Sequence, residues 1–92
     1  MTYTIRKVDA NQKEIVYGLR ALGYSVRQTH TIGKGFPDIV IGRDGNNLLV
    51  EIKRPGEHLT PDEREFFEIW KGNVIIGTSV EEIHETFGKL YE

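Results

Sequence analysis

The segment Ile39–Arg54 constrains the fold of this chain most, because it holds two apolar runs joined by a short turn sequence. Residues Ile39–Ile41 form the first run and Leu48–Arg54 form the second. Aliphatic and β-branched residues favour strands, and an Asp-Gly pair between two such runs, as in Asp44–Asn46, is a strong signal for a hairpin turn. We therefore predict two antiparallel strands that pair as a hairpin.

Helices are predicted on both sides of this hairpin from 3.6-residue periodicity and from end signals. The first is predicted over Asp9–Leu22, with Asp9 as its N-cap and Gly23 after its end. The second begins with Thr60–Glu63, where a capping box and a proline at the first helical position are expected. Its predicted buried stripe consists of Phe66, Phe67 and Trp70.

A third helix is predicted near the C-terminal end of the sequence, and two further strands are predicted between the helices. The third helix is predicted to open with a Ser79–Glu82 capping box and to bury Ile83, Phe87 and Leu90. Further strands are predicted at Tyr24–Gln28 and, as a buried strand, at Val74–Ile76.

The order of elements predicts the fold class. It is αβββαβα, and a strand–helix–strand crossover places the last two strands parallel. We expect an α/β (α+β mixed) fold in which a four-stranded mixed sheet carries flanking helices. No repeat or linker divides the chain, so a single domain over residues 1–92 is expected.

Composition excludes several classes of protein. The 92 residues include no cysteine, which excludes disulfide scaffolds, zinc–thiolate sites and thiol nucleophiles. The apolar runs are far shorter than the roughly 18 residues of a membrane helix, and the N-terminal sequence lacks the apolar core of a secretory signal, so a cytoplasmic location is expected. Residues 1–58 carry nine Lys/Arg and six Asp/Glu, whereas residues 59–92 carry three and eight. A polyanionic partner of the first part and a solvated acidic face on the second explain this pattern equally well.

The second strand of the hairpin projects a carboxylate and an ammonium from one face. Side chains alternate along a strand, so Glu51 and Lys53 point together, about 6.6 Å apart along the backbone. Such a pair alone is also typical of a surface ion pair. Hairpin pairing brings Asp38 beside Glu51, and two converging carboxylates repel each other unless a cation lies between them or one is protonated. The residues therefore suggest a Mg²⁺ or Mn²⁺ site with ligands from Asp38, Glu51 and the backbone carbonyl of Ile52.

These residues stand in the order found in a known family. The segment Gly35–Val40, followed by Glu51-Ile52-Lys53, resembles the PD-(D/E)xK nuclease superfamily. The continuation Lys53–Gly56, followed by Leu59–Pro61 at the start of an aromatic helix, is similar to the small VRR-NUC domains that occur alone in phages. The resemblance covers nearly the whole chain and implies a restriction-endonuclease-like fold and a metal-dependent DNA endonuclease.

The resemblance also implies roles for individual residues. Asp38 and Glu51 correspond to metal ligands, and Lys53 corresponds to the cation that orients or activates the attacking water. Glu14 is similar to the leading acidic residue of the family, with an exposed solubilising glutamate as the alternative. Glu63 stands where the family commonly has glutamine, and it either adds a carboxylate to the metal region or simply caps its helix.

Partners follow from the charges and from the same resemblance. Four basic residues are candidate phosphate contacts, because they are expected on the same edge as the active strand ends or in adjacent loops; they are Lys34, Arg54, Arg27 and Arg43. The resemblance implies a homodimer that acts on branched DNA such as Holliday junctions, in the bacterial host cell if the protein is phage-encoded. The alternatives are an archaeal-type junction resolvase, a catalytically silent DNA-binding module with the nuclease fold, and an interaction module that uses the acidic C-terminal helix.

Overall fold

The computed structural model describes residues 10–92, and its elements follow the predicted order. They are α1 (Ala10–Ala21), β1 (Ser25–Gln28), β2 (Ile39–Arg43), β3 (Asn46–Ile52), α2 (Pro61–Ile69), β4 (Val74–Gly77) and α3 (Val80–Tyr91). The predicted N-cap at Asp9 lies outside the described residues. Within residues 10–92, no helix is long and apolar enough to cross a membrane.

The four strands form one mixed sheet in the order β1-β2-β3-β4. The two pairings that involve β2 are antiparallel, and β3 pairs with β4 in parallel, as predicted for a strand–helix–strand crossover. The predicted hairpin is confirmed: it turns at Asp44 and Gly45, between the paired residues Arg43 and Asn46. Asp44 and Gly45 have φ values of 53° and 81°. A type I′ hairpin turn needs positive φ at both positions, which explains why the Asp-Gly sequence suits it.

The face of the sheet that packs against α1 and α3 forms the hydrophobic core, and we call it the core face. Leu48 and Val50 of β3 point into it, while Leu49 and Glu51 alternate onto the opposite, outer face. The core cluster consists of Ile15, Val16, Leu19, Tyr24, Val26, Ile39, Ile41, Leu48, Val50, Ile83 and Phe87.

Three predictions of burial are wrong, each at an end or an edge of the fold. Trp70 is 42% exposed because α2 ends just before it, and its ring stacks on Phe66. Ile76 is 42% exposed because β4 is an edge strand. Leu90 is also 42% exposed, and Tyr91 packs against the core instead.

The predicted N-caps of α2 and α3 are both present, but of these two helices only α2 has a complete capping box. Thr60 Oγ1 accepts from the Glu63 N–H at 3.3 Å, and Glu63 Oε1 accepts from the Thr60 N–H at 2.9 Å. Ser79 Oγ likewise accepts from the Glu82 N–H at 3.1 Å. The Glu82 carboxylate, however, accepts from the N–H of Thr78 at 2.8 Å, so the reciprocal half of the second predicted box is wrong.

Candidate active site

Asp38 lies immediately before β2, at the end of the sheet where β3 finishes. Its neighbour Ile39 pairs with Val50. Asp38 Oδ2 accepts a hydrogen bond from the backbone N–H of Ile52 at 2.9 Å, and its carbonyl accepts from the N–H of Thr29 at 2.7 Å. These two bonds tie Asp38 to the chain on both sides and hold its carboxylate at the end of β3.

Glu51 is a carboxyl group that is buried near this end of the sheet without full hydrogen bonding. It is 3% exposed, and its buried Oε1 accepts no hydrogen bond from the described residues. Burial is the largest cause that raises the pKa of Glu51, to about 9; the charge and hydrogen bond of Asp38 and the charge of Glu63 add to it, and Lys53 opposes them. In the metal-free protein this carboxyl is therefore neutral near pH 7.

Lys53 follows the end of β3 and is 9% exposed. Its backbone N–H donates to the carbonyl of Gly77 at 3.1 Å, which extends the parallel pairing to this residue. Its Nζ lies 2.8 Å from Glu63 Oε1 and 3.8 Å from Glu51 Oε2. Burial tends to lower the pKa of Lys53, but the hydrogen bond and charge of Glu63 and the charge of Glu51 outweigh burial and raise the pKa. The ammonium is therefore charged at neutral pH.

Glu63 joins the site from α2, and the sequence patterns did not predict its contact with Lys53. Its Oε1 accepts both from the Thr60 N–H and from Lys53 Nζ. Burial tends to raise the pKa of Glu63. The hydrogen bond and charge of Lys53 and the hydrogen bond from the Thr60 N–H outweigh burial and lower the pKa. The capping-box pattern identified this position, and the short segment between Lys53 and Thr60 is the signal that α2 begins close to the end of β3.

The donor set fits a hard divalent cation. Asp38 and Glu51 offer carboxylate oxygens at one point, and the unsatisfied Oε1 of Glu51 gains a partner if a cation lies between them. Within residues 10–92, no group of three or more His, Cys, Asp or Glu side chains is arranged to hold a metal. A site with two carboxylates suits Mg²⁺, which commonly keeps several waters and takes further oxygens from substrate phosphate.

A cavity of about 210 Å³ opens beside Asp38, between the Gly33–Gly35 loop and the start of α2. All three residues of this loop have positive φ. A Cβ on Gly35 would collide with the backbone carbonyl of Asp62, so only glycine allows the loop to pack this closely on α2. Phe36 follows the loop and packs edge-on against Phe66, which anchors the loop to α2.

The basic candidates divide into two groups. Lys34 is exposed and lines the cavity, Arg54 is exposed directly after Lys53, and Arg27 is exposed on β1. These three side chains are accessible to a phosphate backbone.

Arg43 is engaged in the fold. It lies at the opposite end of β2 from Asp38, its guanidinium stacks 4.5 Å from the centre of the Tyr24 ring, and its Nη1 donates to the carbonyl of Leu22 at 3.2 Å. The predicted location of Arg43 beside the active strand end is therefore wrong, because β2 carries it away from the carboxylates.

Glu14 is exposed on α1. It is not among the charges that shift the pKa of Glu51, which come from Asp38, Glu63 and Lys53. The polar side chain that α1 buries is Gln12, whose Nε2 donates to Gln28 Oε1 at 3.3 Å at the end of β1. Sequence reasoning missed Gln12, although its spacing to Ile15 and Val16 places it on the buried side of the helix.

Comparison with solved structures identifies a protein of similar fold. The chain is similar to a solved structure described as a VRR_NUC domain: the two are 27% identical, with a TM-score of 0.64, and the match covers 87% of this chain and 92% of that chain. No family model and no curated protein matches the chain. The mixed sheet with flanking helices and this likeness confirm the predicted restriction-endonuclease-like fold, and they support the resemblance to VRR-NUC nuclease domains.

Proposed function

We propose that this protein is a Mg²⁺- or Mn²⁺-dependent endonuclease that hydrolyses phosphodiester bonds in DNA. The observation that carries the proposal is the meeting of Asp38, Glu51 and Lys53 at the end of β3, where the Glu51 carboxyl is buried with an unsatisfied oxygen. Such an arrangement costs stability, since burying a carboxyl without full hydrogen bonding is unfavourable. Strain of this kind at converging ionisable groups in a cleft is typical of a functional site.

Each side chain has a role that follows from its position. Asp38 and Glu51, with the carbonyl of Ile52, would hold a divalent ion, whose charge neutralises a bound phosphodiester and assists departure of the 3′ oxygen. The N–H of Ile52 fixes the orientation of the Asp38 carboxylate. Lys53 presents a charged ammonium next to Glu51, where it stabilises negative charge on the phosphate or orients the attacking water. In-line attack by water cleaves the strand without a covalent enzyme intermediate.

Lys34, Arg54 and Arg27 are the proposed contacts to the DNA backbone. Their exposure leaves their charges accessible; Lys34 lines the cavity beside Asp38, and Arg54 follows Lys53 directly in the chain. Phosphate contacts position a protein on DNA without reading its sequence. Apart from Asp62 and Glu63, which line the cavity beside Asp38, the acidic residues of 59–92 are proposed to face away from the DNA.

We further propose a homodimer that acts on branched DNA such as Holliday junctions. Support comes from the outer face, where Val40, Leu49 and Trp70 line a groove of about 240 Å³. Ile69 and Ile76 are exposed as well. Apolar surface of this kind is typical of protein interfaces, and a two-fold dimer would place two sites on symmetry-related strands. Light scattering measures the mass in solution, and a monomer at micromolar concentration would contradict the paired-site arrangement.

The catalytic proposal is tested with Asp38→Asn. Wild type and variant are incubated with duplex, flap and four-way junction DNA in Mn²⁺, in Mg²⁺ or with a chelator. We expect metal-dependent cleavage by the wild type and a rate at least about 100-fold lower for Asp38→Asn, because a neutral amide is a poor ligand for a hard cation.

Asp44→Asn is the matched control for this experiment. Asp44 is a carboxylate in the β2–β3 turn with an 82% exposed side chain, and asparagine tolerates its positive φ. Asp44→Asn should cleave at the wild-type rate. The proposal fails if the wild type cuts none of the substrates, or if Asp38→Asn cuts as fast as Asp44→Asn.

A further inference from the structure

The partner closest to the Lys53 ammonium is Glu63 rather than Glu51. The 2.8 Å distance from Nζ to Glu63 Oε1 is that of a charge-assisted hydrogen bond. The 3.8 Å distance to Glu51 Oε2 is too long for a hydrogen bond. The direction in which Lys53 points is therefore fixed from α2, and not by the carboxyl group beside it on β3.

The Glu63 carboxylate is itself held in place. The oxygen that accepts from Lys53 also accepts from the Thr60 N–H at 2.9 Å, and the N–H of Glu63 donates to Thr60 Oγ1. Both bonds belong to the first turn of α2, which starts rigidly at Pro61. A lysine side chain is long and flexible, so a fixed acceptor on a helix removes much of its freedom.

Capping alone does not account for this arrangement. Glu82 occupies the corresponding position of α3, and its carboxylate accepts from the N–H and the hydroxyl of Thr78 without a lysine. A glutamate in the first helical turn can thus satisfy backbone donors by itself. The contact with Lys53 is an additional property of Glu63.

We infer that Glu63 is a positioning residue for the reaction: its carboxylate, fixed by the α2 cap, holds the Lys53 ammonium against the Asp38–Glu51 carboxyl pair. This inference rests on the proposed nuclease function. It assigns Glu63 to the lysine rather than to the metal, and it makes the start of α2 part of the active site.

Chemical labelling tests the contact without any need for activity. Acetic anhydride modifies each lysine of wild type, Glu63→Ala and Glu82→Ala, and mass spectrometry gives the labelling rate at Lys53. We expect Glu63→Ala to raise that rate severalfold, because the ammonium loses its nearest partner. Glu82→Ala should leave it unchanged, since Glu82 makes the same kind of capping contact elsewhere.

Kinetics test the consequence for catalysis. In Glu63→Ala we expect kcat to fall by roughly 10- to 100-fold, because displacement of a catalytic group from its productive position slows the chemical step. KM should stay within about threefold, since the DNA contacts remain. Glu63→Gln should recover kcat to within about threefold of wild type, because the amide oxygen still accepts from Lys53 and from the Thr60 N–H. Thermal unfolding of Glu63→Ala and Glu82→Ala provides the control for loss of a first-turn hydrogen bond.

Three results would overturn the inference. The first is unchanged labelling at Lys53 in Glu63→Ala, and the second is a kcat in Glu63→Ala no lower than in Glu82→Ala. The third is a loss in Glu63→Ala that high Mn²⁺ restores fully, which would make Glu63 a metal ligand. If the wild type cleaves no DNA at all, the proposed function fails, and the labelling rate still decides whether Glu63 holds Lys53.

Discussion

Val50 and Glu51 are neighbours on β3 and are almost equally hidden from solvent, at 0% and 3% exposure. Val50 points to the core face, where full burial of an aliphatic side chain contributes about 1.5–3 kcal/mol to stability. Glu51 points to the outer face, where its Oε1 lacks a hydrogen bond and Asp38 lies close by. Equal burial therefore stabilises the protein on one face of the strand and destabilises it on the other.

The difference shows how so small a chain holds a strained site. The unfavourable group lies at the end of the hairpin, where backbone hydrogen bonds from Ile52 and Thr29 fix Asp38. Lys53 is fixed separately from α2 through Glu63. Most of the apolar core lies on the other face, so the site depends on a rigid scaffold to which its own charges contribute little.

The largest effect on stability is expected from a core-face substitution on β3. Leu48→Ala removes a side chain that is 1% exposed, which should lower the free energy of unfolding by about 2–5 kcal/mol. Its matched control is Leu49→Ala, one residue along the strand, whose side chain borders the open groove of the outer face. Leu49→Ala should cost less, because solvent and neighbouring side chains can fill the space more easily. Urea denaturation measures the free energy of unfolding of both variants, and equal losses would contradict the expected difference between the two faces.

A second effect should come from the pH dependence of Glu51. Folding raises the pKa of this carboxyl from 4.5 to about 9, so the folded protein binds a proton that the unfolded chain has released. The resulting stability is fully present below the unfolded value and is lost as pH rises through about 9. In chelator, the wild type should therefore become steadily less stable as pH rises through this window, because the folded state increasingly has to release the Glu51 proton or keep it at a cost.

Glu51→Gln separates this contribution from all others. An amide does not titrate, so the variant should become more stable than wild type as pH rises from about 6 to about 9, although it is expected to be inactive. Glu68→Gln on α2 makes the same chemical change at an exposed position and should follow the wild-type curve. Denaturation at several pH values provides the measurement, and parallel curves for wild type and Glu51→Gln would show that Glu51 is not a strained group.

The sequence predicted the features that local rules determine. The Asp44-Gly45 turn requires positive φ, the Thr60–Glu63 box satisfies helix donors, and strand alternation separates Val50 from Glu51. Each of these depends on residues close together in the chain. For the same reason hairpin register was sufficient to bring Asp38 next to the end of β3, whereas the catalytic roles of these residues remain predictions.

Features that depend on the spatial arrangement of distant elements could not be predicted in this way. Periodicity placed Trp70 in a buried stripe, but the exposure of its ring depends on where α2 ends over the sheet. The exposure of Ile76 depends on which strand forms the edge. The Lys53–Glu63 contact depends on the path of residues 54–60; the shortness of this segment indicates that α2 begins near the end of β3, but it does not indicate which side chains meet.

The smallest effect is expected from the two helix caps, one for each face. Thr60→Ala and Ser79→Ala should each lower the free energy of unfolding by about 1 kcal/mol. The loss at Ser79 should be the larger, because α3 carries the fully buried Ile83 of the core face. In Thr60→Ala, Glu63 still accepts from the backbone N–H of residue 60, so the contact with Lys53 and most of kcat should survive. Thermal unfolding and cleavage rates measure the two effects separately, and a greater loss of stability at Thr60 would mean that the outer face supports the fold more than the core face does.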